Sequence, residues 1–239
     1  MKAMIFAAGL GTRLKPLTDT TPKALIPIGG KSLLEHIIIK LKNAGFKDIV
    51  INIHHFGEQI IDFLQANNNF GINVAISDER GMLLETGGGI KKAANLLGNE
   101  PFLIHNVDIL SNVDLAALYK AHTQSEAVAT LLVNKRESSR YLLFAESRLN
   151  GWTNVKTGEI KSPYNNIDIE NTERFAFSGI HVFSPQLFKY MDKFPDKFSI
   201  IDFYLAVCDK EKISYYIQED LKLLDVGKID SLEKAESFI

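Results

Sequence analysis

Short apolar segments alternate with longer segments of helical periodicity over the first half of the chain. The apolar segments predict strands over Met4–Ala8, Asp48–Ile53, Ile72–Ile76 and Phe102–His105. Between them, the periodic segments predict helices over Ser32–Asn43, Phe56–Ala66 and Gly88–Leu97. This alternation predicts an α/β fold with a Rossmann-like, doubly wound and mostly parallel sheet. Because such sheets bind ligands at the carboxyl ends of their strands, we expect the chemistry just after Ala8, Ser77 and His105.

The second half of the chain is less regular. Its predicted elements are helices over Val113–His122, Pro185–Asp192, Ile200–Asp209 and Lys228–Phe238, and strands over Ala127–Val133 and Phe175–Phe183. A polar stretch that ends near Glu173 predicts hairpins beside the sheet. Because neither a linker nor an internal repeat interrupts the pattern, we expect one domain over residues 1–239, with approximate lobes 1–110 and 111–239 that meet near Leu110.

Composition and charge exclude several classes of partner. The chain has 27 Lys and Arg against 29 Asp and Glu, and it has no run of cations long enough to neutralise a nucleic-acid backbone, so we expect no nucleic-acid partner. The first apolar run, Ala3–Ala8, is too short for a signal-peptide core or a membrane span. The single cysteine, Cys208, cannot form a disulfide within the chain, which suits a reducing compartment and a buried structural thiol. We therefore expect a cytoplasmic protein without a membrane partner.

A glycine-containing loop, Ala7–Leu14, follows the first predicted strand. Gly9 and Gly11 allow the backbone to approach phosphate oxygens closely, and successive N–H groups in such a loop form an anion-binding concavity. Arg13 adds a two-pronged donor for phosphate, and Lys23 adds a compact positive charge. A plain tight turn is the structural alternative, but it does not explain why two basic residues and three prolines accompany the glycines.

Two common phosphate-binding motifs do not fit this loop. The dinucleotide fingerprint requires a third glycine where the chain has Leu14. The segment Gly30–Ser32 lacks the first glycine of a P-loop, because that position is Leu25. The missing fingerprint argues against a dinucleotide-dependent oxidoreductase.

Three further motifs lie near the ends of predicted elements. Glu85–Gly89 places three glycines at a helix start, which permits close approach of a flat base or an anion, although a flexible loop that closes a βα turn has the same composition. Asp108 follows the strand Phe102–His105, where a lone aspartate either forms a turn, caps a helix or faces a ligand. Asp225, within Leu224–Gly227, precedes the terminal helix and is also a potential cap.

The first loop resembles the signature of the sugar-1-phosphate nucleotidyltransferases, A-A-G-x-G-T-R-x-x-P-L-T followed by P-K. The chain carries this signature over Ala7–Thr18 and in Pro22 and Lys23, with Ala24 where many members have a second proline. The resemblance implies a GT-A-like fold with a nucleotide-binding first lobe and a smaller, sugar-binding second lobe. It also implies Mg²⁺-dependent transfer of a nucleotidyl group from a nucleoside triphosphate to a sugar 1-phosphate, with release of pyrophosphate.

The resemblance further implies roles for individual residues. The expected catalytic residues are Arg13 and Lys23, the expected nucleotide-binding residues are Ala7, Gly9, Gly11, Thr12, Thr86 and Gly87, the expected substrate-binding residue is Gly179, and the expected metal ligands are Asp108 and Asp225. Two carboxylates together with phosphate oxygens are a usual ligand set for Mg²⁺. Val107 stands where glycine is usual in the family, which changes the expected backbone shape before the first of these aspartates.

Within this family, the chain resembles most the N-acetylmuramic acid 1-phosphate uridylyltransferases of cell-wall recycling. The resemblance is carried by Leu84–Ile90, Asn95–Phe102, Phe177–Ile180 with Pro185 and Leu187, and Asp225–Ile239. It implies UTP and N-acetylmuramic acid 1-phosphate as substrates. Arg140 and Arg174 are then candidates to receive the lactyl carboxylate, and a structural or surface role is an equal alternative for each.

Two other functions are alternatives. Mannose 1-phosphate guanylyltransferases share the first loop. A nucleotide-sugar-binding regulator that has lost catalysis is the alternative from a different class, but the chain retains the two basic residues and both aspartates that the reaction needs.

Overall fold

The computed structural model describes residues 1–165 and 167–238, so Ile239, the end of the last segment named above, lies outside the described residues. The strands are β1 Lys2–Phe6, β2 Pro27–Ile28, β3 Lys31–Ser32, β4 Asp48–Ile53, β5 Asn73–Asp78, β6 Phe102–Asn106, β7 Ile109–Ser111, β8 Ala129–Asn134, β9 Arg140–Ala145, β10 Arg148–Asn154, β11 Glu159–Lys161, β12 Glu173–Phe183, β13 Ile213–Tyr216 and β14 Leu223–Asp225. The α-helices are α1 Leu33–Asn43, α2 Gly57–Ala66, α3 Glu85–Leu97, α4 Leu115–Thr123, α5 Phe188–Met191, α6 Ile200–Val207 and α7 Ile229–Glu236. Short 3-10 segments occupy Thr12–Leu14, Leu17–Asp19, Lys23–Leu25, Asn68–Gly71 and Pro185–Leu187. Among the residues described, no helix has both the length and the apolar character needed to cross a membrane.

The main sheet contains a parallel, doubly wound part. Its strand order is β11-β10-β9-β12-β6-β1-β4-β5, and β8 and β13 pair at its side. The neighbours β6, β1, β4 and β5 are parallel, which confirms the doubly wound fold predicted from the first half of the chain. The chain order reverses at β1, because β4 and β5 lie on one side of it and β6 lies on the other. Such a switch point leaves a crevice at the carboxyl ends of the strands.

The strands of the second half extend this sheet mainly in antiparallel fashion. β12 is antiparallel to β6, β8 and β9, and β9, β10 and β11 form consecutive antiparallel pairs. Only β13, which pairs with β8, is parallel to its neighbour in this half of the described sheet. The polar stretch therefore forms hairpins beside the sheet, as predicted, and the whole sheet is mixed.

Alternation along β1 supplies side chains to two hydrophobic cores, one on each face of the sheet. Ala3 and Ile5 belong to the core that includes the apolar faces of α1 and α2, whereas Met4 belongs to the core beneath α3 and α6. Full burial of a side chain as large as Ile5 or Met4 stabilises the fold by about 1.5–3 kcal/mol. Strands on both sides of Leu110 contribute to these cores, and the division into lobes 1–110 and 111–239 stays a prediction.

Cys208 lies in the second of these cores, directly after α6. It is a buried free cysteine, as the sequence predicts. Burial raises the pKa of its thiol to about 12, so the thiol stays protonated and unreactive at neutral pH.

Neither Asp108 nor Asp225 caps a helix. The cap of α4 is Asp114, whose Oδ1 accepts a hydrogen bond of 2.9 Å from the Ala117 N–H. Asp225 ends β14, and α7 begins only after Lys228. The capping alternative for both aspartates is therefore excluded.

Candidate active site

A cavity of about 440 Å³ opens at the carboxyl ends of β1, β5 and β6, at the switch point of the sheet. The predicted site residues that line it are Gly9, Gly11, Thr12, Arg13, Lys23, Thr86 and Asp108. The structure thus brings the glycine loop, the start of α3 and an aspartate that follows β6 to one common space. Besides Glu85, which begins the motif Glu85–Gly89, the polar residues Asn52, Glu79 and Asn106 line its wall and are absent from the predicted set.

The glycine loop turns back on itself at Gly11. This residue has a φ of 65°, a left-handed conformation that glycine adopts readily, and a Cβ atom added there would lie 2.8 Å from Thr18 Cγ2. The Thr18 hydroxyl donates a hydrogen bond of 2.8 Å to the Gly11 carbonyl. An added Cβ atom at Gly9 would meet no atom within 4 Å among the described residues, so the loop is open on its cavity side.

A buried network of side chains holds the beginning of this loop. Asn52 Oδ1 accepts hydrogen bonds of 2.7 and 3.2 Å from the N–H groups of Ala7 and Ala8. Asn52 Nδ2 donates 2.7 Å to Glu79 Oε1, and the Leu84 N–H donates 3.2 Å to Glu79 Oε2. The predicted nucleotide-binding residue Ala7 therefore directs its N–H group to Asn52, and its side chain is buried in the core.

Glu79 is fully buried at this position after β5. Burial raises the pKa of its carboxyl group above the ordinary range, although the hydrogen bonds from Asn52 and Leu84 favour the ionised form. The network ties the end of β4 to the segment that leads into α3. It therefore fixes the glycine loop relative to the opposite wall of the cavity.

The glycines that follow Thr86 pack α3 against its surroundings. A Cβ atom added at Gly88 would lie 2.0 Å from the Asp196 carbonyl oxygen, and one added at Gly87 would lie 2.3 Å from the Phe198 ring. The Gly87 N–H also donates a hydrogen bond of 2.9 Å to the Phe198 carbonyl. Close helix packing thus explains these glycines. Thr86 lines the cavity, whereas Gly87 lies beside Phe198.

Gly179 lies in an irregular part of β12, between the segments that pair with β8. Its φ is 71°, and a Cβ atom added there would lie 2.7 Å from Asn106 Nδ2. Gly179 therefore supports a cavity-lining side chain from behind. It is not among the described residues that line the cavity, and its contact with substrate stays a prediction.

Strand pairing brings the two predicted metal ligands together. β14 pairs with β7 so that Asp225 lies opposite Ile109, and the Val226 N–H donates 2.8 Å to the Asp108 carbonyl. Lys23, which is buried, donates a hydrogen bond from its Nζ to Asp108 Oδ2. The predicted catalytic lysine and the first predicted metal ligand therefore form an ion pair.

Burial and several neighbouring charges act on the carboxyl group of Asp225. Although Asp225 is exposed on one side, the surrounding groups desolvate its carboxyl, and this desolvation, together with the charge of Asp108, raises its pKa. The charges of Lys23, Arg13 and Arg136 act in the opposite direction. Arg13 lies close by, because a Cβ atom added at Gly227 would lie 2.7 Å from an Arg13 guanidinium nitrogen and 2.6 Å from Asp225 Oδ1.

These carboxylates have the chemistry of a magnesium site. Mg²⁺ prefers oxygen ligands and is commonly held by one or two carboxylates plus substrate phosphates. Two neighbouring carboxylates beside a phosphate-type loop fit that description. No group of three or more His, Cys, Asp or Glu side chains suited to a metal occurs in the described part of the chain, so a site built entirely from protein side chains is not indicated there.

The overlooked residues Asn52, Glu79 and Asn106 share a signal in the sequence. Each is a polar residue at the end of an apolar strand segment or directly after it. The carboxyl ends of parallel strands meet at one edge of the sheet, so this pattern indicates side chains that face the crevice.

Comparisons with known proteins agree with this architecture. The family described as Nucleotidyl transferase matches residues 2–239. The N-acetylmuramate alpha-1-phosphate uridylyltransferase of Neisseria meningitidis is 49% identical over 120 residues, which are 50% of this chain and 52% of that protein. The UTP–glucose-1-phosphate uridylyltransferase of Synechocystis is 28% identical over 239 residues, 96% of this chain and 61% of that protein. The matches thus span about half to three fifths of these two relatives.

A solved structure shows the same fold. A putative glucose-1-phosphate thymidylyltransferase from Bacillus anthracis, in complex with sucrose, superposes with a TM-score of 0.81 at 20% sequence identity. The superposition covers 99% of this chain and 94% of that one. The arrangement of the sheet, including its antiparallel extension, is therefore common to both chains.

Proposed function

This chain belongs to the nucleotidyl transferase family, and we propose that it transfers a nucleotidyl group from a nucleoside triphosphate to a sugar 1-phosphate. The products are an NDP-sugar and pyrophosphate. The observation that carries the proposal is the convergence of a phosphate-type glycine loop, Lys23 and the neighbouring carboxylates Asp108 and Asp225 at the switch point of the sheet. Such a site supplies charge and position, which are what phosphoryl chemistry requires.

The proposed reaction is one in-line displacement. A phosphate oxygen of the sugar 1-phosphate attacks the α-phosphorus of the triphosphate, and the bond from that phosphorus to the bridging oxygen of the β-phosphate breaks. The sugar phosphate is largely dianionic at neutral pH, since its second pKa is about 6, so its attack needs no general base. Neither a proton transfer nor a covalent enzyme intermediate is needed.

Residues of the chain would position the two anions. The open backbone of the loop between Gly9 and Arg13 faces the phosphates of the nucleotide, and the Arg13 guanidinium stabilises the departing pyrophosphate. Lys23 approaches the reacting phosphate from its buried position beside Asp108. Thr86, across the cavity, faces the nucleotide base.

Asp108 and Asp225 would hold Mg²⁺. When bound, this ion supplies positive charge that reduces the repulsion between the two phosphates. The pairing of β14 with β7 brings the two carboxylates together, and desolvation together with the charge of Asp108 raises the pKa of Asp225, which supports a cation beside them.

For the substrates, we propose UTP and N-acetylmuramic acid 1-phosphate. This part of the proposal is supported by the motifs shared with the uridylyltransferases and by the similarity to the Neisseria protein over half of the chain. A role in cell-wall recycling and a cytoplasmic location, which the resemblance implies, belong to the same proposal.

A panel of the four nucleoside triphosphates against several sugar 1-phosphates, scored by Mg²⁺-dependent pyrophosphate release, tests this function. We expect UTP with N-acetylmuramic acid 1-phosphate to give the highest kcat/KM. A polar group left unpaired by the wrong base or sugar costs about 1–3 kcal/mol, so GTP with mannose 1-phosphate should be poorer by roughly 5- to 150-fold.

Each other outcome of the panel has a definite meaning. A preference for GTP and mannose 1-phosphate would overturn the substrate assignment and leave the reaction standing. Nucleotide-sugar binding without pyrophosphate release would favour a regulator and contradict the proposed reaction.

Replacing Gly227 by alanine is expected to lower kcat/KM by about 10-fold or more, because misplacing a catalytic group by about 1 Å can cost 100-fold. The added Cβ atom would lie 2.6 Å from Asp225 Oδ1 and 2.7 Å from an Arg13 guanidinium nitrogen, so both side chains must move. Steady-state kinetics and thermal unfolding measure the effect. Gly81→Ala is the matched control, since a Cβ atom there would meet no atom within 4 Å among the described residues. Unchanged kcat and KM in Gly227→Ala would show that this contact does not matter for turnover.

A further inference from the structure

A second cavity, of about 490 Å³, lies between the hairpin strands and the beginning of α6. Its floor is one face of β9, β10 and β11. Strand pairing places Arg140 opposite Asn154, Leu142 opposite Trp152, and Trp152 opposite Lys161, so these side chains lie on the same face. Residues 199, 201 and 202, at the start of α6, close the other side. The volume is within the range of small-molecule sites, about 300–1,000 Å³.

The charges in this cavity are unequal. Lys161 lies 3.1 Å from Asp202 and 4.0 Å from Glu159, so this lysine pairs with both of the carboxylates that line the cavity, and three cationic against two anionic side chains leave the lining with a net charge of +1. Arg136 and Arg140 also line it, and within residues 1–165 and 167–238 neither has a carboxylate oxygen within 4.0 Å. Two guanidinium groups that face a cavity without a counter-ion favour an anionic ligand.

The cavity adjoins the candidate active site at two points. Arg136 lines the cavity and follows β8, which runs in the same direction as β6 because both strands are antiparallel to β12, so Arg136 lies at the edge of the sheet where the candidate active site opens. Thr86, which lines the first cavity, accepts a hydrogen bond of 3.0 Å at its Oγ1 from the Ile200 N–H, which lies between two residues of the second cavity. A ligand of the second cavity would therefore reach toward the reacting phosphates.

Building on the proposed function and on the sugar-binding second lobe that the resemblance implies, we propose that Arg140 forms an ion pair in this cavity with a carboxylate carried by the acceptor sugar. Arg136, which follows the carboxyl end of β8, faces the 1-phosphate, whereas Arg140, at the start of β9, faces the ring substituents. Trp152 and Leu142 supply the apolar wall beside the ring. Arg140 is thus a specificity-determining residue that selects a sugar 1-phosphate with a second anionic group.

The other candidate for this ion pair, Arg174, lies outside the cavity. It is exposed, as Arg140 is, but it lies on β12 opposite Leu143, on the other face of the sheet from Arg140, and it is not among the described residues that line either cavity. Because Arg140 and Arg174 belong to the same half of the chain, the second arginine is a matched control for the first.

The test compares two acceptors that differ only in the lactyl ether, N-acetylmuramic acid 1-phosphate and N-acetylglucosamine 1-phosphate, with UTP and the full chain. A charge-assisted hydrogen bond of Arg140 with the carboxylate should be lost in Arg140→Ala. We expect this change to lower kcat/KM for the muramic acid substrate by about 10- to 100-fold, mainly through KM, and to change kcat/KM for the glucosamine substrate by less than about 3-fold. Arg136→Ala should lower kcat/KM for both substrates by similar factors, because both carry the 1-phosphate.

Binding of the same two sugar phosphates, measured by calorimetry without nucleotide, gives a readout that does not depend on turnover. The wild-type chain should bind the muramic acid compound more tightly, Arg140→Ala should lose this preference, and Arg174→Ala should keep it. Equal losses of affinity for both sugar phosphates in Arg140→Ala, or no loss of affinity for either, would overturn the assignment of Arg140. If none of the triphosphates and sugar phosphates gives pyrophosphate, the proposed function fails, and the binding preference still decides whether the cavity selects a carboxylate.

Discussion

Replacing Asp108 by asparagine is expected to abolish measurable turnover, a loss of about 1000-fold in kcat, while the fold stays intact. The change keeps the shape of the side chain but removes the negative charge that would hold Mg²⁺ beside Asp225. The introduced amide oxygen still accepts a hydrogen bond from Lys23, and the carboxylate of Asp225 remains nearby to balance the lysine. We therefore expect the melting temperature to change by only a few degrees, which corresponds to about 1 kcal/mol for a chain of this size.

The measurement is pyrophosphate release over a range of Mg²⁺ concentrations, with thermal unfolding as a check on the fold. Asp62→Asn is the matched control, because Asp62 is an exposed residue of α2 that lies outside the described linings of both cavities. The control should keep wild-type kinetics. Turnover of the Asp108 variant near the wild-type rate at limiting Mg²⁺ would contradict the metal assignment.

The parallel part of the fold could be predicted because its strands are uniformly apolar and are bounded by helices of clear periodicity. The predicted strand Asp48–Ile53 coincides with β4, and α1 begins one residue after the predicted start, with Ser32 as its cap. Strands such as β7 and β14 could not be predicted, since each has three residues and their pairing depends on residues far apart in sequence. Spacing along the chain carries no signal for such a pairing.

That unpredicted pairing decides the geometry of the candidate site. Sequence patterns place Asp108 after a strand but leave Asp225 as a possible helix cap, and only the resemblance to the family pairs the two. The structure supplies the physical reason, because the antiparallel register of β14 on β7 puts Asp225 opposite Ile109. A segment from the middle of the chain and one near its end thus meet at the switch point.

The support of the glycine loop is the other feature that sequence patterns miss. The loop itself is indicated by its glycines and basic residues. Its rigidity comes from Asn52, which binds the Ala7 and Ala8 N–H groups, and from Glu79, which holds Asn52. Buried polar side chains of this kind gain their role from tertiary contacts, so their position at strand ends indicates only that they face the crevice.

Replacing Arg13 by lysine is expected to lower kcat/KM by roughly 100- to 1000-fold with little loss of stability. Lysine keeps the positive charge but cannot make the two-pronged contact that a guanidinium makes with triphosphate oxygens. The structure adds a reason, because the guanidinium lies beside Gly227 and Asp225 and so links the phosphate loop to the carboxylate pair. Lysine is shorter and has a single nitrogen. It would therefore leave either the phosphate loop or the carboxylate pair without a hydrogen-bond donor.

Steady-state kinetics at varied triphosphate concentration distinguishes two roles of Arg13. If the guanidinium stabilises the departing pyrophosphate, the loss in Arg13→Lys falls mainly on kcat, because that charge develops only as the bond breaks. A loss that falls only on KM for the triphosphate would assign Arg13 to ground-state binding instead. Arg174→Lys is the matched control and should match the wild type, since Arg174 is exposed on β12 and lines neither cavity as described. Unchanged kcat and KM in Arg13→Lys would show that Arg13 is a solvated loop residue, and pyrophosphate departure would then have to be stabilised by Lys23 and the backbone of the loop alone.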